Sequence, residues 1–205
     1  MITAGKLKPL PEDAPLILAS TSPRRFYLLR EAGIPFDVVA PGNVAEDSLP
    51  GEHAEDMVVR HARAKAGAVA PDYPGRLVLG ADTVVVLDGE VYGKPKDDAD
   101  ARRMLGILQG RTHTVFTGLA LLDAAGGREI SDVEATEVSI APLSPDKIAY
   151  YVETGEPADK AGAYAIQGRG SLLVERVDGD YFNVVGLPLF RLTKLFESLG
   201  YDVLR

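Results

Sequence analysis

Apolar residues fall along this chain in two alternating rhythms, short continuous runs and helical stripes. Leu16-Ile17-Leu18-Ala19 is an unbroken apolar run, which predicts a buried strand over residues 16–20. Residues 23–32 carry the helical spacing and end at Gly33, where a C-terminal cap belongs. Residues 36–40 predict a second strand, and 41–52 a polar loop containing Glu46 and Asp47. A helix over 54–70 would set Val58, Val59, Ala62 and Ala66 on one side, with Arg60, Arg63 and Lys65 among its polar positions.

The next run, 77–81 and 83–87, is broken only by Asp82, and Asp88-Gly89 turns it back into a short return strand at 90–92. Gly93-Lys94-Pro95 ends that hairpin, and a helix over 98–109 is stopped by Gly110. Two long strands, 112–122 and 129–140, flank a glycine turn; Ser144-Pro145 opens a helix that Gly155 closes. Residues 162–170 are punctuated by glycines, 171–177 predict a strand, Asp178-Gly179 a turn, and 189–199 the last helix. Helices alternating with strands, with hairpins inserted, imply an α/β fold on a mixed rather than parallel sheet. Residues 1–15 have lysines and prolines but no apolar stretch, so a flexible extension before a single domain over 16–205 is expected.

Composition narrows the classes. With 205 residues, 46% hydrophobic and 25% charged, the chain suits a soluble globular protein. No apolar run reaches the length of a membrane span. Cysteine is absent, which removes disulfides and thiolate metal sites and makes a cytoplasmic location the expectation. A net charge of −8 argues against a nucleic-acid polymer as partner and for a small anionic ligand in a local cationic pocket. Oligomeric state stays open, a homodimer included.

Such a pocket is legible at Ser20-Thr21-Ser22-Pro23-Arg24-Arg25. Ser22 stands where an N-cap belongs and Pro23 where a helix begins, so hydroxyls, free backbone N–H groups and two guanidinium groups converge. That chemistry suits phosphate. Asp82, a carboxylate amid apolar sequence, must be paired, hydrated or metal-bound, and it reads equally as a strand-end residue satisfied by backbone N–H groups. Taken alone, Lys94 reads as a solvated turn lysine, Lys65 as part of a solvated helix face, Glu46 as a loop carboxylate and Gln167 as a turn cap. Beside an anion site each gains a second reading: ammonium to phosphate, and for Gln167 an amide that presents donor and acceptor to a nucleobase edge. His53, His61 and His113 lack zinc-ligand spacing and read as surface or packing residues. Neither a Walker motif nor a dinucleotide glycine fingerprint is present.

Five segments in order, Ser20 to Arg25, Gly80-Ala81-Asp82-Thr83, Gly93-Lys94-Pro95, Asp159-Lys160-Ala161-Gly162 and Val185-Gly186-Leu187-Pro188-Leu189, resemble the Maf family of nucleoside triphosphate pyrophosphatases, historically called septum formation inhibitors. Each motif is weak alone, and the ordered set is specific, from about Leu16 to the last helix. The resemblance implies an elongated mixed α/β fold with two lobes and a central cleft, similar to inosine triphosphate pyrophosphatases. It implies hydrolysis of a nucleoside triphosphate to monophosphate and pyrophosphate with Mg²⁺ or Mn²⁺. Asp82 matches the proton acceptor; Ser22, Arg24, Arg25, Lys65 and Lys94 match substrate-binding positions; Glu46 and Asp82 match metal-binding ones. Arg24, Thr83 and Gln167 fall at specificity positions of the dTTP/UTP group, whereas the group that acts on 7-methyl-GTP carries glutamate in place of Gln167. A non-enzymatic regulator of cell division is the remaining alternative. Ala45 departs from the pattern, since several relatives have a second acidic residue there.

Overall fold

The computed structural model describes residues 7–11 and 13–204. In chain order the elements are β1 (Lys8–Pro9), β2 (Leu16–Ala19), α1 (Pro23–Glu31), β3 (Phe36–Val39), α2 (Ala54–Val69), β4 (Leu77–Leu87), β5 (Glu90–Tyr92) and α3 (Asp98–Leu108). There follow β6 (Thr112–Asp123), β7 (Arg128–Ile140), α4 (Pro145–Glu153), β8 (Val174–Asp178), α5 (Tyr181–Val185), α6 (Leu189–Leu199) and β9 (Tyr201–Asp202). The expected mixed α/β fold is present: the main sheet has seven strands, in the order β3-β2-β4-β6-β7-β8 with β5 paired to β4.

Backbone contacts divide the chain into two compact units. The first runs up to Asp82 and adds residues 117–133 and the segment from Gly186 onward. In it β2 pairs in parallel with both β3 and β4, and all four β2 side chains are buried, which is why that strand reads as a continuous apolar run. Ile17, Ala19, Val78 and Ala120 from the strands pack against Ala62, Ala66 and Val69 of α2. Small residues dominate this contact for a reason visible at two glycines. A Cβ on Gly80 would stand 2.0 Å from the Ala62 carbonyl oxygen, and one on Gly118 would stand 2.5 Å from that of Val58. Helix α2 therefore lies on β4 and β6 backbone to backbone. Residues 1–6 of the expected extension lie outside the described residues; beyond them, Lys8–Pro9 pairs in parallel with Tyr201–Asp202 and Leu10 is buried.

The second unit comprises residues 83–116 and 134–185. Its core gathers Val85 and Leu87 of β4, Leu105 and Leu108 of α3, Val115 of β6, Ile140 of β7 and Val152 of α4. Two expectations are corrected here and in the strand that leads in, and one element is new. Strand β4 runs unbroken through Asp82 instead of pausing there, because the carboxylate is satisfied by side chains and the ladder need not open. Residues 168–172 form a 3₁₀ turn where a strand was expected from 171, so β8 starts at Val174. Helix α5 was not foreseen, being a five-residue segment too short to show a period.

His113 of β6 is buried in this unit and bonded through Nε2 to the Tyr164 hydroxyl at 2.7 Å, while its Nδ1 has no partner among the described residues. Burial without a charge partner pushes its pKa down to about 4. Between its ordinary 6.5 and about 4 the unfolded chain binds a proton that the folded chain refuses. The folded state therefore loses stability as pH falls through that window, by roughly 3 kcal/mol in all. Chemical denaturation of the wild type and of His113→Gln across this range checks it: the glutamine chain, which does not titrate, should show the shallower loss.

Candidate active site

Strand register brings the first-unit residues together. Ala19 pairs with Gly80, so the loop that leaves the carboxyl end of β2 at Ser20 stands level with Ala81 and Asp82, in the middle of β4. Ligands collect at such ends in open α/β sheets. Ser22 does occupy the N-cap of α1, with Pro23 following, but its hydroxyl makes no capping bond; its backbone N–H instead donates to Ser20 Oγ at 3.2 Å. The nine-residue helix has no acidic residue in its first turn. Its N-terminal N–H groups therefore meet no acidic side chain of their own first turn, and the Ser22 hydroxyl is not spent on capping them.

Arg24 is half-buried and Arg25 buried. Arg25 donates Nε–H to the Gly186 carbonyl at 2.8 Å and Nη1–H to Ser20 Oγ at 3.2 Å. Desolvation depresses its pKa, opposed by the charge of Asp82. This arginine is fastened to the frame of the site, tying the hexapeptide to the start of the last segment.

Asp82 is the centre. Its Oδ1 accepts from Lys65 Nζ at 2.7 Å and its Oδ2 meets His61 Nδ1 at 2.9 Å. Lys65 also reaches Glu46 Oε1 at 2.6 Å, so one ammonium bridges two carboxylates. Burial opposes ionisation of Asp82, yet the His61 hydrogen bond, the Lys65 charge and bond, and the Arg25 charge outweigh it and hold the carboxyl below its usual range. Asp82 is thus ionised at neutral pH. The geometry follows from the glycine contact: Gly80 and Asp82 point to the same face of β4, and that face meets α2. His61 and Lys65, four apart, share one side of the helix.

His61 is the correction among the histidines. It is neither a surface nor a plain packing residue, because the turn that places Lys65 on Asp82 also places His61 there. Its Nε2 lies 3.3 Å from the Asp47 carbonyl, and the Asp82 bond raises its pKa. Lys65 likewise is buried rather than part of a solvated face. The i, i+4 spacing of His61 and Lys65 was a signal in the sequence, silent only because their common partner is remote along the chain. Nearby, Arg60 grips both oxygens of Glu52 at 2.6 and 2.7 Å and also donates to the Asp47 carbonyl at 2.7 Å, fastening the Glu46 loop to α2.

Thr83, Lys94 and Gln167 belong to the second unit. Thr83 is half-buried in β4; Lys94 is exposed in the bend after β5, and Gln167 is exposed before the 3₁₀ turn. The two segments are tied, since Gly162 N–H donates to the Gly93 carbonyl at 3.0 Å. Gln167 rides on a loop fixed by a residue that sequence reasoning missed. The Glu156 carboxylate accepts from the backbone N–H groups of Arg169 at 3.0 Å and Gly170 at 2.8 Å, and from the Tyr151 hydroxyl at 2.8 Å. Tyr151 oxygen in turn accepts from Ala165 N–H at 3.1 Å. A side chain on Gly168, whose φ is +65°, would also strike Glu156.

Glu46 and Asp82 present hard oxygens of the kind a divalent metal would take, and among the described residues no group of three His, Asp or Glu forms a cage. Two carboxylates suit Mg²⁺ that is shared with substrate phosphates, not one held by protein alone.

The family described as Maf-like protein matches residues 15–199. A dTTP/UTP pyrophosphatase of Symbiobacterium thermophilum is 54% identical over 188 residues, 92% of this chain and 95% of that protein. Proteins of the same name from Geobacter metallireducens and Dictyoglomus turgidum are 49% and 48% identical, covering 93% and 92% of this chain and 99% and 98% of their own. Among solved structures, the Staphylococcus aureus Ham1 protein matches over 62% of this chain and 71% of its own, with 15% identity and a TM-score of 0.40. No helix among the described residues is long and apolar enough to cross a membrane.

Proposed function

This chain belongs to the Maf family, and we propose that it hydrolyses nucleoside triphosphates, dTTP and UTP first among them, at the α–β phosphoanhydride to give the monophosphate and pyrophosphate. The observation that carries this reading is the ionised Asp82, held between Lys65 and His61 beside the N-terminus of α1. A buried carboxylate with two committed donors is expensive to assemble for structure alone. Next to a cationic anion site it is a group that can take a proton.

In this reading the triphosphate tail lies against the α1 N-terminus, with Ser22 and Arg24 as direct ligands and Arg25 stiffening the loop from beneath while adding positive potential. Asp82 accepts a proton from the water that attacks the α-phosphorus; the bond from that phosphorus to the bridging oxygen breaks and pyrophosphate leaves. Lys65 supplies charge to the phosphates as well as to the two carboxylates. When bound, Mg²⁺ or Mn²⁺ would be held by Glu46 and Asp82 and would neutralise phosphate charge. Lys94, Thr83 and Gln167 come in from the family resemblance, Lys94 for phosphate, Thr83 and Gln167 with Arg24 for choice of base. A cytoplasmic setting and freedom from nucleic-acid polymers belong to the same proposal.

A nucleotide panel with Mg²⁺ or Mn²⁺, scored separately for monophosphate, pyrophosphate and orthophosphate, tests the reading. Pyrophosphate with dTMP or UMP is the expected product pair. Orthophosphate would contradict α–β cleavage, and no turnover of any nucleotide would return the regulator alternative. Gln167→Glu in the same panel should lower kcat/KM for dTTP and UTP by about 10-fold or more, as a site built for a neutral edge loses its matched hydrogen bonds.

A further inference from the structure

We propose that His61 is a positioning residue for this reaction, orienting the Asp82 carboxylate and coupling it to the loop that carries Glu46. The inference rests on the reading of Asp82 as the proton acceptor. Three observations support it. The ring is buried, with 2% of its surface exposed. Its Nδ1 stands 2.9 Å from Asp82 Oδ2, the oxygen that Lys65 does not engage at bonding distance. Its Nε2 faces the Asp47 carbonyl at 3.3 Å, one residue from Glu46.

These contacts differ in kind from those of Lys65. A lysine ends in a compact ammonium on a flexible stem and can turn its donors towards incoming phosphate. An imidazole has two side-chain torsions, and here both ring nitrogens are engaged. When a triphosphate competes for the Lys65 ammonium, His61 is the donor that keeps the carboxylate plane where it was. Proton transfer needs an acceptor held within a fraction of an ångström, and misplacement by about 1 Å can cost 10²-fold. An imidazole buried against Asp82 satisfies an oxygen that a leucine would leave without a donor, and it does so in a fixed orientation.

Three substitutions separate the contacts. Asparagine places an amide nitrogen near the Nδ1 position, glutamine places one near Nε2, and leucine fills the volume with neither. Steady-state pyrophosphate release from dTTP with Mg²⁺ should show kcat down about 10- to 100-fold in His61→Leu with KM within about threefold. His61→Asn should recover kcat to within about fivefold of wild type, and His61→Gln should resemble leucine. Wild-type kcat in His61→Leu, or asparagine as impaired as leucine, would overturn the proposal. If the leucine variant does not fold, the asparagine–glutamine comparison decides alone. Asp82→Asn separates this failure from that of the underlying reading. Loss of turnover there with none in His61→Leu rejects His61 only, whereas retained turnover in Asp82→Asn rejects both. In the Asp82→Asn background, His61→Leu should add little, as expected for two groups acting as one unit.

Discussion

Asp82→Asn should lower kcat by about 10²–10⁴-fold, the range for removing a positioned general base, and leave the fold in place. An amide oxygen can accept from Lys65, but the amide nitrogen beside His61 is a donor, so the ring must turn from donor to acceptor at Nδ1 to keep that contact. Circular dichroism should show an unchanged secondary structure with a lowered melting temperature. Pyrophosphate release measured at saturating dTTP checks the chemistry, and turnover near wild type would remove Asp82 from its role. Titrating Mg²⁺ or Mn²⁺ in the same variant distinguishes its two possible duties. Partial rescue by excess metal marks a carboxylate that mainly holds the ion, and no rescue marks one that mainly takes the proton.

Gly80→Ala should be strongly damaging to the first unit. The new methyl would stand 2.0 Å from the Ala62 carbonyl oxygen and 2.9 Å from the Ala66 nitrogen, and both are backbone atoms that cannot swing aside. Helix α2 must lift from β4. Overpacking of this kind costs about 3 kcal/mol or more, which for a chain of this size lowers the melting temperature by roughly 6–12 °C. Activity should fall further than stability, because lifting α2 draws His61 and Lys65 away from Asp82. Thermal melts and dTTP turnover at a temperature where the variant is still folded measure the two effects separately.

The sequence made the main elements legible because their patterns are local. Leu16-Ile17-Leu18-Ala19, the Asp88-Gly89 hairpin and the Pro23 helix start each announce themselves within a few residues. The candidate anion site at Ser20 to Arg25 has a local signal for the same reason, a cap position, a proline and two arginines in sequence. What escaped is what depends on distant partners. That Arg25 is also fastened to Gly186 and Ser20 could not be read from its neighbours, because Gly186 is remote along the chain. His61 looked ordinary because Asp82 is 21 residues away. The 3₁₀ turn at 168–172 is set by Glu156, a residue whose acidic side chain carries no local hint that it will accept backbone N–H groups from beyond position 168.

That Glu156 contact has a consequence for how this enzyme could change. Because one carboxylate and one phenol fix the main chain on both sides of Gln167, the side chain at 167 stands on a mount whose shape does not depend on it. Its exposed position makes no demand on the core either. On the proposed function, replacement at residue 167 would change base preference while Asp82, Lys65 and His61, all in the other unit, keep their arrangement, and recognition and hydrolysis would then be separately heritable.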